Sequence, residues 1–368
     1  MYNLPEEIIL CILNKLEKED IINFAHTNKE NYNLVNFNKL LFDVKSTIIN
    51  KSKNRKIIGK IKLIIYDKKI DYEYLYDIIK YVYKIIIDCN INEDIIKYIK
   101  KFSEICENPS IRINCYELFD IDFLHNFTCI TLYHSENLKI DVSKFNKIKK
   151  LNLKSTNIDN LSNIPKLEKL NLSKTKIDDV KNLDVKKLVL NNCDNINDSS
   201  NIEFVKNLKT LDISLCRNIT NINFLNLENI ICSCCENIEN IDLLEKSEKL
   251  NYLDLHFCTK ITKIPNLNCK ILDLSSTNII KLPILKEIIE LDLSSCHKLR
   301  DINNLKFSKN LKILSLNNLD LNNFDINILN NCHSLIELNI LNCYSNNMYF
   351  IKNLKKLKYI NHKMILNY

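Results

Sequence analysis

Cysteine is the residue type with the most chemistry to offer here. There are 15 cysteines, and Cys232-Ser233-Cys234-Cys235 contains a C-x-x-C spacing that invites zinc or thiol–disulfide chemistry. A structural zinc needs four ligands, and no second C-x-x-C supplies the missing pair. The seven histidines are scattered and there is no H-E-x-x-H, so no metal is expected. A single glycine, Gly59, serves all 368 residues. That excludes the P-loop, the G-x-G-x-x-G turn and the G-x-S-x-G elbow, which need several residues able to reach positive φ or admit close backbone approach. What remains is a set of carboxylates, Asp212, Asp254, Asp273 and Asp292, each between two aliphatic residues, with Tyr252 and His256 around Asp254. Side chains so placed are candidates for binding, and without a base and an activated nucleophile no catalysis is expected of them.

The element that must position them is a repeat. From Ile148 the chain returns to the frame L-x-x-L-x-L-x-x-C/T, as in Leu250-x-x-Leu253-x-Leu255-x-x-Cys258 and Ile288-x-x-Leu291-x-Leu293-x-x-Cys296. The first residue of each L-x-L pair falls at 151, 170, 188, 211, 230, 253, 272, 291, 314 and 338, intervals of 18 to 24 residues. Both the frame and the period are those of leucine-rich repeats. L-x-L is a short strand with both leucines inward, so the residues before, between and after them line the concave face of a parallel sheet.

Early repeats put Lys150, Lys169 and Lys187 on that face, and later ones put Asp212, Tyr252, Asp254, His256, Asp273 and Asp292 there. These six are the candidate target-binding residues; ordinary drift of an L-D-L-S repeat is the alternative. The position three beyond the second leucine is Cys or Thr in nine of ten repeats, Leu319 being the exception. Small donors there serve the turn, which gives six cysteines a structural use, with Cys232 inward and Cys234 pointing elsewhere. Ile130/Leu132, Ile111/Ile113, Ile85/Ile87 and Leu63/Ile65 extend the array backwards, and Leu354-x-x-Leu357-x-Tyr359 reads as its last, degenerate turn. The longer intervals leave room for short helices over 201–207, 241–246 and 325–331.

Residues 1–46 have a different, helical pattern. Leu4-Pro5-Glu6-Glu7 opens a helix with proline and acids in its first turn, and Ile8, Ile9, Ile12, Leu13 and Leu16 make one apolar face. Asp20 caps a second helix with Ile21 and Ile22, and a third runs from about residue 27 to 41. This segment resembles an F-box, matching L-P-x-E, the paired aliphatics and the acid followed by two aliphatics. It departs from the family at Asn31, where tryptophan is usual, with Tyr32 beside it.

The resemblance implies docking on a Skp-family adaptor through Leu4, Pro5, Ile8, Ile9, Leu13, Leu16 and Ile21, and through it on a cullin scaffold. A protein target held by the repeats would then be directed to ubiquitination, with this chain contributing proximity and no catalysis. The alternatives left open by the residues are a helical cap on the first repeat and a binding scaffold or decoy with no ligase link.

The expected organisation is therefore an F-box-like helical domain at 1–46, a basic linker at 47–60 and a curved α/β leucine-rich-repeat solenoid at 61–368, clearest over 148–345. No cofactor is expected. The formal net charge of +7 is mild, so nucleic acid is not an expected partner; the linker's lysines read as a solvated run. No window approaches the roughly 18 apolar residues of a membrane span and no basic, apolar leader is visible. The expected location is cytoplasmic, with the nucleus open, and the thiols are expected to be reduced.

Overall fold

The computed structural model describes residues 42–45, 61–65, 76, 79–114, 122–133, 145–156, 164–198, 200–222, 224–345 and 349–363. The helices expected within residues 1–41, and with them Leu4, Pro5, Ile8, Ile9, Leu13, Leu16 and Ile21, lie outside the described residues. The chain forms two compact units, one covering residues 1–136 with 144–148, the other 137–143 and 149–368.

In the first unit five parallel strands follow one another: β1 (Phe42–Lys45), β2 (Ile61–Ile65), β3 (Val82–Ile87), β4 (Ser110–Asn114) and β5 (Cys129–Tyr133). The weak L-x-L copies are in register as expected, with Leu63 opposite Ile85, Ile85 opposite Ile111 and Ile111 opposite Ile130. The sheet starts ahead of residue 61, however. Phe42-Asp43-Val44-Lys45 alternates apolar and polar residues, a strand pattern, and pairs with β2.

Between β3 and β4 the convex return is a true helix, α1 (Glu93–Ile105), which repeat spacing alone does not announce. Its signals are all local. Asn92 caps it by accepting from the Ile95 N–H at 2.9 Å, and Glu93 and Asp94 occupy the first turn. Ile95, Tyr98, Ile99 and Phe102 then recur at helical spacing and are buried, Phe102 against Phe127 at 5.9 Å between ring centroids.

The second unit is a stack of eleven parallel strands: β6 (Lys150–Asn152), β7 (Leu167–Asn171), β8 (Val185–Val189), β9 (Thr210–Asp212), β10 (Asn229–Ile231), β11 (Tyr252–Asp254), β12 (Ile271–Asp273), β13 (Glu290–Asp292), β14 (Ile313–Ser315), β15 (Glu337–Leu341) and β16 (Tyr359–Lys363). From β7 on, each pairs with its predecessor without a slip at the leucine. The inward leucines Leu151, Leu170, Leu188, Leu211, Leu253, Leu272, Leu291, Leu314 and Leu338 are buried, and with the second residue of each pair they form a continuous apolar spine. Burial of each contributes about 1.5–3 kcal/mol.

Two expectations need correction. The segments expected as short helices on the longer returns are 3-10 turns at Ile202–Phe204, Asp242–Lys246 and Ile326–Asn331. A gap of a few residues holds one tight turn but not the second turn that α-helical bonding rewards. The last repeat is also framed three residues later than read. Ile360 sits opposite Leu338 and His362 opposite Ile340, so the frame is Leu357-x-x-Ile360-x-His362. Leu354 and Leu357 are both aliphatic, so two frames fit until the ladder chooses; Tyr359 is then outward and 65% exposed.

Candidate functional site

Strand register builds the open face of the second unit. Because every rung aligns, the residue between the leucines forms one line: Asn152, Asn171, Val189, Asp212, Ile231, Asp254, Asp273, Asp292, Ser315 and Asn339. Asp254, Asp273 and Asp292 are consecutive at the roughly 4.8 Å strand spacing, and Ile231 separates Asp254 from Asp212. Lys150, Lys169 and Lys187 are likewise consecutive on the preceding line. The structure thus brings the expected residues together on one face, basic at β6–β8 and acidic at β9–β13.

Half of each carboxylate already has a structural task. Asp212 Oδ1 accepts from the Ser214 N–H at 3.1 Å, Asp254 Oδ1 from His256 N–H at 2.9 Å, and Asp273 and Asp292 Oδ1 from the Ser275 and Ser294 N–H groups, each at 2.8 Å. Asn152 and Asn171 make the same bond, to Lys154 and Ser173. The line is therefore also a column of Asx turns that fixes each strand's exit. The recurring Asp/Asn-x-Ser spacing is the sequence signal for it. Among the described residues no hydrogen-bond partner reaches Oδ2 of Asp212, Asp273 or Asp292, so those oxygens face outward with full acceptor capacity.

Asp254 has the most hydrogen-bond partners of the four. Its Oδ2 accepts from the Ser233 hydroxyl at 2.6 Å and, at 3.5 Å, from Tyr252 OH. Burial, with the negative charge of Asp254 and Asp273, pushes the Tyr252 phenol up to about 12, so it stays a neutral donor. His256 Nδ1 lies 2.7 Å from Ser275 Oγ, and that hydroxyl donates to Asp273 Oδ1. Serine, histidine and aspartate are all present, but in the wrong order for nucleophilic catalysis. The serine proton is committed to the carboxylate, so His256 donates to the oxygen it would have to deprotonate.

The thiols turn inward. Cys193, Cys216, Cys235, Cys258, Cys296 and Cys343 are buried, and each Sγ donates across to a carbonyl of the preceding repeat at 3.0–3.1 Å, Leu172, Leu190, Ile213, Cys232, Leu274 and Leu316 in turn. Thr156, Thr175 and Thr277 instead close onto their own repeat, at 2.6 Å. Burial pushes the thiols of Cys216, Cys235 and Cys258 up to about 12, the opposite of the activated thiolate that redox chemistry needs. Cys232 is inward, as expected, and Cys234 is only half-buried.

Sequence reasoning missed a second column two residues beyond the cysteine. Asn195, Asn218 and Asn237 donate from Nδ2 to Lys176, Asp194 and Arg217 carbonyls at 2.6–2.8 Å. The repeated C-x-N would have shown it.

This repeat architecture has counterparts among solved structures. A leucine-rich-repeat protein of Leptospira interrogans superposes with a TM-score of 0.52 at 16% identity, over 89% of this chain and 95% of that one. Residues 1–43 match the F-box domain family. The chain joins an F-box match to a leucine-rich-repeat fold. An internalin of Listeria monocytogenes is also similar to it, at 17% identity and a TM-score of 0.48, covering 99% of this chain and 95% of its own. No curated protein sequence matches.

Proposed function

We propose that this F-box/leucine-rich-repeat protein is a non-catalytic adaptor that binds a Skp-family protein through residues 4–21 and a target protein through its open sheet face, directing the target to ubiquitination on a cullin scaffold. The observation that carries the reading is the coupling of an F-box match at 1–43 to a parallel sheet whose outward line is charged and in register. Each module is a protein-interaction module, and joined they place a target near a ligase. Leu4, Pro5, Ile8, Ile9, Leu13, Leu16 and Ile21 contact the adaptor; Asp212, Tyr252, Asp254, His256, Asp273 and Asp292 contact the target.

Binding of the full chain to the host Skp-family adaptor tests the ligase link. Association at micromolar or tighter affinity is expected, and Leu13→Asp lowers it at least a hundredfold by placing an unpaired charge in an apolar contact. No association of the wild-type chain even at tens of micromolar would leave a binding scaffold with no ligase connection.

A further inference from the structure

The turn that leaves each strand from β6 to β15 holds one residue in the left-handed region: Ser155, Lys174, Asn192, Leu215, Cys234, Phe257, Ser276, Ser295, Asn318 and Asn342, with φ between 54° and 62°. None is glycine. For a side chain with a Cβ this region is disfavoured, least so for asparagine, and bulky apolar residues are the rarest there. Seven of the ten are accordingly polar. The three exceptions are consecutive: Leu215, Cys234 and Phe257 follow β9, β10 and β11. Backbone bonds from Leu215 N to Ser233 O and from Cys234 N to His256 O hold them in adjacent turns.

Neither large side chain packs inward. Leu215 is 36% and Phe257 42% exposed, while Cys234 is half-buried. Backbone strain at three successive turns, with exposed apolar surface at Leu215 and Phe257, serves the folded chain in no way that burial would repay. Ile231, half-buried between Asp212 and Asp254 on the sheet line, extends the apolar strip onto the open face. His256 joins the two, its ring centroid 6.1 Å from that of Phe257 and its Nδ1 against Ser275.

We infer that the rim Leu215–Cys234–Phe257, with the acidic line beside it, is the docking edge for an extended peptide segment of a partner protein that mixes apolar with basic side chains. Charge complementarity selects the occupant. Asp212 and Asp273 border the strip with outward carboxylate oxygens, and Asp254 adds its hydrogen-bonded charge between them; together they would repel an acidic segment and leave a neutral one with unmatched charges. The lysines of β6–β8 lie on the other side of β9 and give the segment a polarity, basic residues toward β11–β12. From β9 to β12 the edge spans about 15 Å, which an extended segment covers with about five residues. This inference rests on the repeats being the target-binding arm, but not on the F-box engaging a Skp-family adaptor.

The test uses the full chain and fluorescent nonapeptides in which two leucines or phenylalanines are set among lysines and serines. Control peptides replace either the apolar residues by serine or the lysines by glutamate. Wild-type protein is expected to bind the basic–apolar peptides at least tenfold more tightly than either control. Leu215→Asn combined with Phe257→Asn should lower that binding at least tenfold while the melting temperature holds or rises, because asparagine already occupies this turn position at 192, 318 and 342. Skp-family binding of the same variant should be unchanged, which separates failure of this site from failure of the ligase link. Equal binding by the variant, no preference over the controls, or a fall in melting temperature would each overturn the inference. So would concentration-dependent self-association of the wild type that the variant abolishes, since the rim's occupant would then be a second copy.

Discussion

At the scale of single residues, the same side chain often serves the fold and the surface with different atoms. Asp273 holds an Asx turn with Oδ1 and keeps Oδ2 outward, and Asp254 holds its turn with Oδ1 while Oδ2 takes the Ser233 hydroxyl, so turn and charge can be separated by substitution. Asp254→Asn with Asp273→Asn keeps the turn acceptor that Asn152 and Asn171 already provide, and stability should hold within about 0.5 kcal/mol while target capture falls and loses its salt dependence. Asp254→Ala removes the acceptor as well and should cost about 1 kcal/mol in chemical denaturation.

The buried thiols make a prediction about alkaline pH. An unfolded cysteine releases its proton near pH 8.5, whereas Cys216, Cys235 and Cys258 hold theirs to about 12 in the fold because burial disfavours the thiolate. Above pH 8.5 the unfolded state therefore binds fewer protons. Stability present below that pH is lost as pH rises toward 12, at up to about 1.4 kcal/mol per unit per thiol. Denaturation at pH 7.5 and 9.5 should show the loss, and Cys258→Ala should shrink it. Native protein should leave Cys193, Cys216, Cys258 and Cys296 unlabelled by a small thiol reagent; rapid labelling of these four would contradict the ladder.

At the scale of elements, α1 shows how a repeat can replace a short return by a helix when the local signals agree. Asn92, the first-turn acids and a four-residue apolar stripe specify it without help from the repeat period. Its anchor is Phe102, fully buried against Phe127. Phe102→Ala should cost about 3–5 kcal/mol. The loss should register first in amide exchange of α1, β3 and β4, because a solenoid element contacts only its neighbours. Uniform loss of protection through both units would contradict that.

At the scale of the molecule, order along the stack is order along the chain. Every strand within each unit pairs with its sequence neighbours, so cooperativity is built from nearest-neighbour terms. Leu253→Ala, in the middle of the second unit, should cost about 2–5 kcal/mol and broaden the transition, with circular dichroism and tyrosine fluorescence no longer coincident. A single sharp, coincident transition would contradict the nearest-neighbour account.

The repeat frame, the inward leucines, the cysteine positions and the line of aspartates were all legible in the sequence, because a strict period lets one strand stand for all and alternation decides which side chains face out. The F-box resemblance was legible for a different reason, a dense local pattern over some 40 residues. Tertiary structure decided what periodicity leaves degenerate. Register chose Ile360 over Leu357, since either aliphatic satisfies the pattern and only the ladder bonds to β15 distinguish them. Hydrogen bonding assigned one oxygen of each aspartate to its turn. Backbone geometry placed Leu215 and Phe257 in a conformation their side chains resist, a property of φ that no spacing of letters encodes.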